Sequence, residues 1–493
     1  MKKKVVVIGS GFSSLSAASH LAKQGFDVTI VEKNDSPGGR ARKFQASGYT
    51  FDMGPSWYWM PDVFEQFFNF FGKKASDFYS LKRLSPSYSV YFGNGDEMLV
   101  PSDFTELCNL FESIEKGASE KLKKFLNEAE YKYRVGINKL VHKPGQSITE
   151  FLDWELATGV FKLDVFQSIT AHIHKSFKNE KLIRLLEFPV IFLGAMPEKT
   201  PALYSLMNYA DMVLGTWYPM GGMHKIVEAM VSVAQSQGVK FEYNQNINSI
   251  HVEAGKVISV SSSTNNFDAD IVVAGSDYHH TEQTLLKNEF RTYSPEYWDS
   301  RVMAPSSLLF YLGVKKQLKM LQHHTLFFDE PFAPHAKDIY VTPQWPDKPL
   351  FYVCRTTATD ESVAPANCEN IFLLIPVAPD LKDDEATREK YYQIIMKRLE
   401  AFCGEEIIPF VEYKRSYAHS NFITDYNAFK GNAYGLANTL MQTANLKPAL
   451  KSKKVKGLYY TGQLTVPGPG VPPAIISGKV VAEQISKDFR KQN

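Results

Sequence analysis

The stretch Gly9-Ser10-Gly11-Phe12-Ser13-Ser14 limits the possible folds more than any other part of the chain. Before it comes a mostly apolar run, Lys4 to Ile8, suited to a parallel strand covered on both faces. After it, Leu15, Ala18 and Leu21 recur at helical spacing between Ser13 and Gln24, and Gly25 sits where a helix ends. Asp27 to Glu32, rich in Val and Ile, reads as the next strand. Strand, glycine turn and helix in this order make a G-x-G-x-x-S form of the dinucleotide-binding fingerprint. Gly9 permits the tight turn, and Gly11 lets the backbone approach a pyrophosphate at the helix N-terminus. Ser14 replaces the usual third glycine, a mild departure because serine is also small. Glu32 ends the second strand, some twenty residues on, where a carboxylate accepts hydrogen bonds from an adenosine ribose. Its charge disfavours a 2′-phosphate there.

A chain of 493 residues holds two to four domains' worth of structure and needs no covalent staples. The 55 basic and 53 acidic side chains give a net charge of +2, which argues against a nucleic-acid binder. None of the four cysteines, Cys108, Cys354, Cys368 and Cys403, stands in a C-x-x-C spacing, so no zinc ribbon or disulfide framework is expected. Met1 to Lys4 is basic like the start of a signal peptide, but Val5 to Ile8 is too short for its apolar core and ends in glycines. No apolar run approaches the roughly 20 residues of a spanning helix. The 34 Phe, 25 Tyr and 6 Trp exceed what ordinary packing demands, and suit a large apolar pocket or contact with a membrane.

Two further blocks have βα character. Gly222 to Asp277 predicts a helix over His224 to Gln237, a strand at Val239 to Tyr243, a hairpin-like pair around Ile250 to Val260, and a strand at Ala269 to Ala274. Lys456 to Asp488 predicts a short strand, a Pro/Gly turn and a final helix. Between the blocks lie a stretch of mostly helical patterning, Lys73 to Leu214, and a mixed one, Thr281 to Leu446. The simplest organisation is a discontinuous nucleotide-binding domain (1–72, 215–280 and 447–493) with a second domain made of 73–214 and 281–446. No second dinucleotide fingerprint occurs, so a nicotinamide partner is not implied.

The fingerprint has an extension, Pro37-Gly38-Gly39-Arg40-Ala41-Arg42, in which Arg40 suits a charge-assisted bond to diphosphate or ribityl oxygens. With Phe51-Asp52-Met53-Gly54-Pro55, Trp217-Tyr218-Pro219-Met220-Gly221-Gly222-Met223, Ser306 to Gly313, His323-His324-Thr325, Gly431 to Leu436 and Pro467 to Pro472, the sequence resembles a bacterial carotenoid desaturase of the phytoene desaturase type. That family belongs to a superfamily of FAD enzymes that includes amine oxidases, and the resemblance covers nearly the whole chain.

The resemblance implies an α/β fold: a discontinuous Rossmann-like FAD-binding domain, an inserted mixed α+β substrate domain and a helical membrane-associating part. It implies non-covalent FAD, desaturation of phytoene to lycopene or intermediates, or else desaturation or isomerisation of another carotenoid, and a peripheral, monotopic hold on the cytoplasmic face of the membrane. Reduced flavin would pass its electrons to oxygen or a quinone. The expected cofactor contacts are Gly9, Ser10, Gly11, Phe12, Ser13, Glu32, Lys33, Gly39, Arg40, Gly54, Pro55, Gly221, Gly222, Met223, Ile247, Gly462 and Val471. Three positions depart from the family pattern. Val466 stands where a histidine is common, Gln463 where an aspartate is, and Thr149 where an arginine precedes a carboxylate. That carboxylate, Glu150, is the first acid/base candidate and Asp211 the second, although Ser147-x-x-Glu150 also fits a capping box. His323-His324 and His279-His280 are not expected to bind metal, because adjacent side chains point apart and no third ligand is evident. Phe64, Phe67, Phe68, Phe70 and Phe71 read either as core packing or as a tunnel mouth or membrane-facing element, and the basic clusters at 121–124, 172–178 and 451–456 either as solvated surface or as contacts for anionic lipid heads. A flavin-free prenyl-binding protein of the Rab GDP-dissociation inhibitor type and a soluble amine oxidase are the competing readings. The intact glycines and the lack of cysteine after Cys403 weigh against them.

Overall fold

A computed structural model describes residues 2–147, 150, 163–164, 166–191 and 194–490. Its organising element is a five-stranded parallel sheet in the order Leu458–Tyr460, Ile271–Ala274, Lys4–Ile8, Asp27–Val31, Lys240–Glu242. All three βα blocks of the sequence contribute strands. The first strand is central because Val5, Val6, Val7 and Ile8 are buried on both faces. Val5, Val7, Ile271 and Val273 pack on one face, against the helices Phe12–Lys23, His224–Ser236 and Val471–Arg490. Val6, Ile8, Val272 and Ala274 pack on the other, against Ile250, Val257 and Val260 of a small three-stranded sheet. The first and last of the three helices cross closely. A Cβ on Gly478 would lie 2.2 Å from the Ser13 carbonyl oxygen, and the Ser16 hydroxyl donates to the Ile475 carbonyl.

A second sheet of seven strands runs Val411–Tyr417, Ser306–Val314, Glu369–Val377, Phe351–Arg355, His324–Phe327, Tyr88–Tyr91, Glu97–Val100. All nine residues of Ser306–Val314 are buried. Its alternation sends Leu308, Phe310 and Leu312 toward the helix Glu385–Cys403, and Leu309 and Tyr311 toward the first sheet's core. The Tyr311 hydroxyl donates to the Met53 carbonyl (2.6 Å), joining this sheet to the segment after the fingerprint.

Among the described residues, the stretch from Lys73 to Leu214 is mostly helical, as expected, but not at its start. It holds the helices Phe104–Ile114 and Ala118–Asn138, but its first part forms the strands Leu81–Arg83, Tyr88–Tyr91 and Glu97–Val100. Gly93-Asn94-Gly95, all at positive φ, turns Tyr88–Tyr91 into Glu97–Val100, and tertiary pairing with His324–Phe327 completes the strand. In the helix Pro61–Phe70, Phe64, Phe67 and Phe68 are core residues; Phe70 is 42% exposed and stacks on His20. Among the described residues no helix is long and apolar enough to cross a membrane.

Candidate functional site

The fingerprint folds as its residue types dictate. Gly9 has φ +91°, and its N–H donates to the Val31 carbonyl (2.8 Å), closing the turn between the two central strands. Gly11 caps the following helix without a side-chain cap bond, and a Cβ there would meet nothing within 4 Å. The Glu32 carboxylate is buried and accepts from the Ser10 N–H (2.8 Å), the Ser10 hydroxyl (2.6 Å) and both Asn34 donors (2.8 and 2.9 Å). It therefore holds the glycine loop in shape. Phe12 and Ser13 are buried under the loop, and a Cβ on Gly462 would touch the Ser13 hydroxyl at 3.3 Å. The fingerprint and the C-terminal motif thus meet, though they are far apart in sequence.

Gly39 packs on the same loop, 3.3 Å from Gly11 Cα when given a Cβ, and Gly54 lies against the Arg40 carbonyl. Arg40 is thereby fixed beside the open end of the fingerprint helix. It makes no ion pair among the described residues. One terminal nitrogen donates to the Asn432 carbonyl (3.3 Å), its ring neighbour is Tyr426, and its Nε is buried without a partner. Burial lowers its pKa, opposed by nearby acids such as Asp277. The Arg40 guanidinium, with its Nε unpartnered, and a helix N-terminus without a side-chain cap together fit a diphosphate. These residues fit FAD.

The segment Gly221-Gly222-Met223 is gripped by two carboxylates. Asp360 accepts from the Gly221 N–H (2.6 Å), and Asp52 accepts from the N–H groups of Met223 (2.7 Å) and His224 (2.9 Å). Burial pushes the Asp52 carboxyl up to about 6 against those two bonds. For Asp360 burial is outweighed by bonds from Ser362 and Gly221, which hold it low. Gly54, Pro55, Gly221, Gly222 and Met223 line one small cavity of about 20 Å³. Val471 opens the last helix after Gly468 and Gly470, both at positive φ. Lys447, buried, lies against Gly468 and donates to Asn438 (3.0 Å); burial pushes its pKa down to about 7. The Ile247 side chain sits in the core beside Val31, while the neighbouring Gln245 N–H donates to the Glu32 carbonyl (2.8 Å). Lys33 turns away from the fingerprint, and its ammonium bonds the Thr424 carbonyl.

Of the two acid/base candidates, Asp211 is buried. It accepts from the Tyr88 hydroxyl (2.6 Å) and the Thr216 hydroxyl (3.2 Å), yet burial pushes its carboxyl up to about 7. Its partner Tyr88 packs against Trp57 and Phe188, and Trp57 stacks on His324 with centroids 4.1 Å apart. Glu150 is half-buried, and its carboxylate accepts from the Gly145 and Gln146 N–H groups, bracing a turn packed against Val466. Residues 148–149 and 151–162 around it, Thr149 included, lie outside the described residues. The expectation that adjacent histidines diverge fails at His323-His324. The chain bends at His323 just before the strand, the two rings lie 4.5 Å apart, and Cys354 is a third neighbour. Sequence reasoning also missed Asp52, Asp360, Lys447 and Tyr88 as site residues. Only Asp52 carried a local signal, standing inside the Phe51 to Pro55 motif.

Comparison with known proteins agrees with this geometry. The profile of the family described as flavin containing amine oxidoreductase matches residues 12–486. A carotenoid 3,4-desaturase of Haloarcula japonica is 39% identical, over 98% of both chains. A phytoene desaturase of Fusarium fujikuroi is 30% identical, over 100% of this chain and 91% of its own. A solved oxidoreductase from Methanosarcina mazei shares the fold with a TM-score of 0.61 at 17% identity, covering 97% of this chain and 100% of its own. The chain therefore belongs to the carotenoid desaturases of the flavin containing amine oxidoreductase family, and is an FAD-dependent oxidoreductase acting on carotenoids.

Proposed function

We propose that the protein desaturates phytoene to lycopene or to a partly desaturated intermediate. FAD held here would supply the hydride acceptor for the polyene, and a neighbouring carbon of the polyene would give up a proton to a residue of the chain. In this reading the FAD-binding part is 1–72, 215–280 and 447–493, and the substrate-binding part is 73–214 and 281–446. The observation that supports it is the buried Asp211 carboxyl, near neutrality and held by Tyr88, beside a wall of Trp57, Tyr88 and Phe188. Aromatic faces stabilise positive charge developing on a polyene and keep water away from it. Asp211 is the residue we assign to the proton, with Glu150 second. The Asp52 and Asp360 carboxylates hold Gly221 to Met223 in place beside the cofactor's ring. Arg40 and the fingerprint helix hold the diphosphate.

The protein would sit peripherally on the cytoplasmic face of the membrane, where its substrate dissolves, and pass electrons to oxygen or a quinone. Of the three basic clusters, that at 121–124 is partly neutralised by Glu115 and Glu120, and that at 451–456 by Asp488. Lipid attraction through them is accordingly modest. The 39% identity to a 3,4-desaturase favours a second reading, in which the substrate is a carotenoid already partly desaturated.

The test is product analysis with liposome-embedded phytoene, FAD and oxygen or a quinone. A longer visible polyene supports the first reading. Intact phytoene beside a flavin-loaded protein, with conversion of a desaturated carotenoid instead, supports the second. No conversion of any carotenoid overturns both.

A further inference from the structure

We propose that His323, His324 and Cys354 form a binding site for a soft divalent metal ion of the Zn²⁺ type within the protein interior. The strands His324–Phe327 and Phe351–Arg355 run antiparallel with His324 directly opposite Cys354. The bend at His323 brings the third side chain to the same place. One donor atom from each residue lies within 4.8 Å of the other two, and none of the three residues is more than 5% exposed.

The hydrogen bonds around the rings point the same way. His324 Nδ1 lies 2.6 Å from the Tyr352 hydroxyl, which itself donates to Ser56 (3.0 Å). The Tyr352 oxygen therefore accepts from Nδ1–H, and Nε2 is left with its lone pair. His323 Nδ1 is likewise bonded to the Thr359 hydroxyl (2.7 Å). Both Nε2 atoms are buried without any partner. A metal-bound imidazole has this arrangement, with one nitrogen on the ion and the other giving its N–H to an oxygen. Two buried ring nitrogens without a partner, on rings 4.5 Å apart, are left unexplained by packing alone.

Burial keeps both imidazoles neutral, His323 pushed down to about 3, which is the state that ligates. Binding forms the metal–sulfur bond as the Cys354 thiol proton leaves to solvent, one per ion. Two nitrogens and a sulfur select Zn²⁺ or Co²⁺ over Mg²⁺ and Ca²⁺. In a tetrahedral site such donors stand about 3.3–3.8 Å apart, a closure that side-chain rotation supplies. Cys354 also lines, with Ser56 and Tyr218, a cavity of about 20 Å³, enough for one water in the fourth position.

The inference rests on these residues and is independent of which carotenoid is the substrate. Flavin-loaded protein is titrated with Zn²⁺ and with Co²⁺, and bound metal, released protons and the cobalt difference spectrum are followed. The expected result is one ion per chain, about one proton released, and a thiolate-to-cobalt band. Cys354→Ser abolishes the band and weakens uptake at least tenfold, while Cys403→Ser leaves both unchanged. Tyr352→Phe, which removes the oxygen holding His324, weakens binding about 10–100-fold. If Cys354→Ser fails to retain flavin, His323→Gln is read in its place and must also lose the ion. Absence of stoichiometric uptake at micromolar metal overturns the site, as does uptake unchanged in the Cys354 and His323 variants.

Discussion

At Gly11 one added atom separates folding from cofactor binding. A Cβ there has nothing to strike within 4 Å, so the protein itself tolerates a side chain; the space belongs to the cofactor. Gly11→Val is expected to fold with an unchanged circular dichroism spectrum and to lose flavin at least tenfold, read as flavin absorbance per chain. Asp211 offers a second test, through pH. Its carboxyl rises from 3.8 in the unfolded chain to about 7 in the fold, so between those values the native state binds the extra proton. Stability from this group is therefore fully present below about pH 4 and is lost as pH rises toward 7, by up to about 4 kcal/mol. Asp211→Asn keeps one oxygen to accept from Tyr88, turns an amide N–H toward the Thr216 hydroxyl, and removes the titration. The difference in unfolding free energy between the two proteins should shift in the variant's favour as pH rises from 4 to 7. If Asp211 also takes the substrate's proton, turnover of the variant falls about 10²–10⁴-fold with flavin retained. Unchanged turnover would assign it to structure alone.

At the scale of elements, the closest approach is between the fingerprint helix and the last helix. Alanine in place of a helical glycine normally stabilises by about 0.5–1 kcal/mol. At Gly478 the added carbon would instead sit 2.2 Å from the Ser13 carbonyl, inside contact distance. Gly478→Ala should therefore lower the melting temperature and, by pushing the helices apart, loosen flavin; a rise in melting temperature would contradict this packing. Asp52 caps the helix His224–Ser236 from a different part of the chain, and Asp52→Ala should cost about 1–2 kcal/mol in chemical denaturation. These elements also show what could be read from sequence. The strand, glycine turn and helix from Lys4 to Lys23 were legible because every cue is local: apolar run, glycines, helical spacing. Asp52, Asp360 and the Tyr88–Asp211 pair were not, because each carboxylate's role is set by partners more than a hundred residues away. The strands from Leu81 to Val100 were read as part of a helical stretch, since short strands become strands through the sheet they join. His323 misled in another way: alternation along a strand applies to His324, but the bend removes His323 from it.

At the scale of the whole molecule, the parallel sheet gathers its strands from three remote stretches, and the cofactor contacts lie at the junction. Anything bound there holds the three stretches together and stabilises the fold by about 2.7 kcal/mol at a hundredfold excess over its dissociation constant. Removing FAD should accordingly lower the melting temperature, and restoring it should reverse the change. The same layout orders events during synthesis. Chains emerge N-terminus first, at about 5–20 residues per second. The fingerprint leaves the ribosome at the outset, but the edge strand Leu458–Tyr460 and the helix that seats on Ser13 follow roughly 450 residues later, after both intervening stretches. For tens of seconds the nascent chain thus displays a glycine loop without its far wall, and flavin capture becomes a late, post-translational event. Ribosome-bound chains halted before Leu458 should carry no flavin, however long they wait.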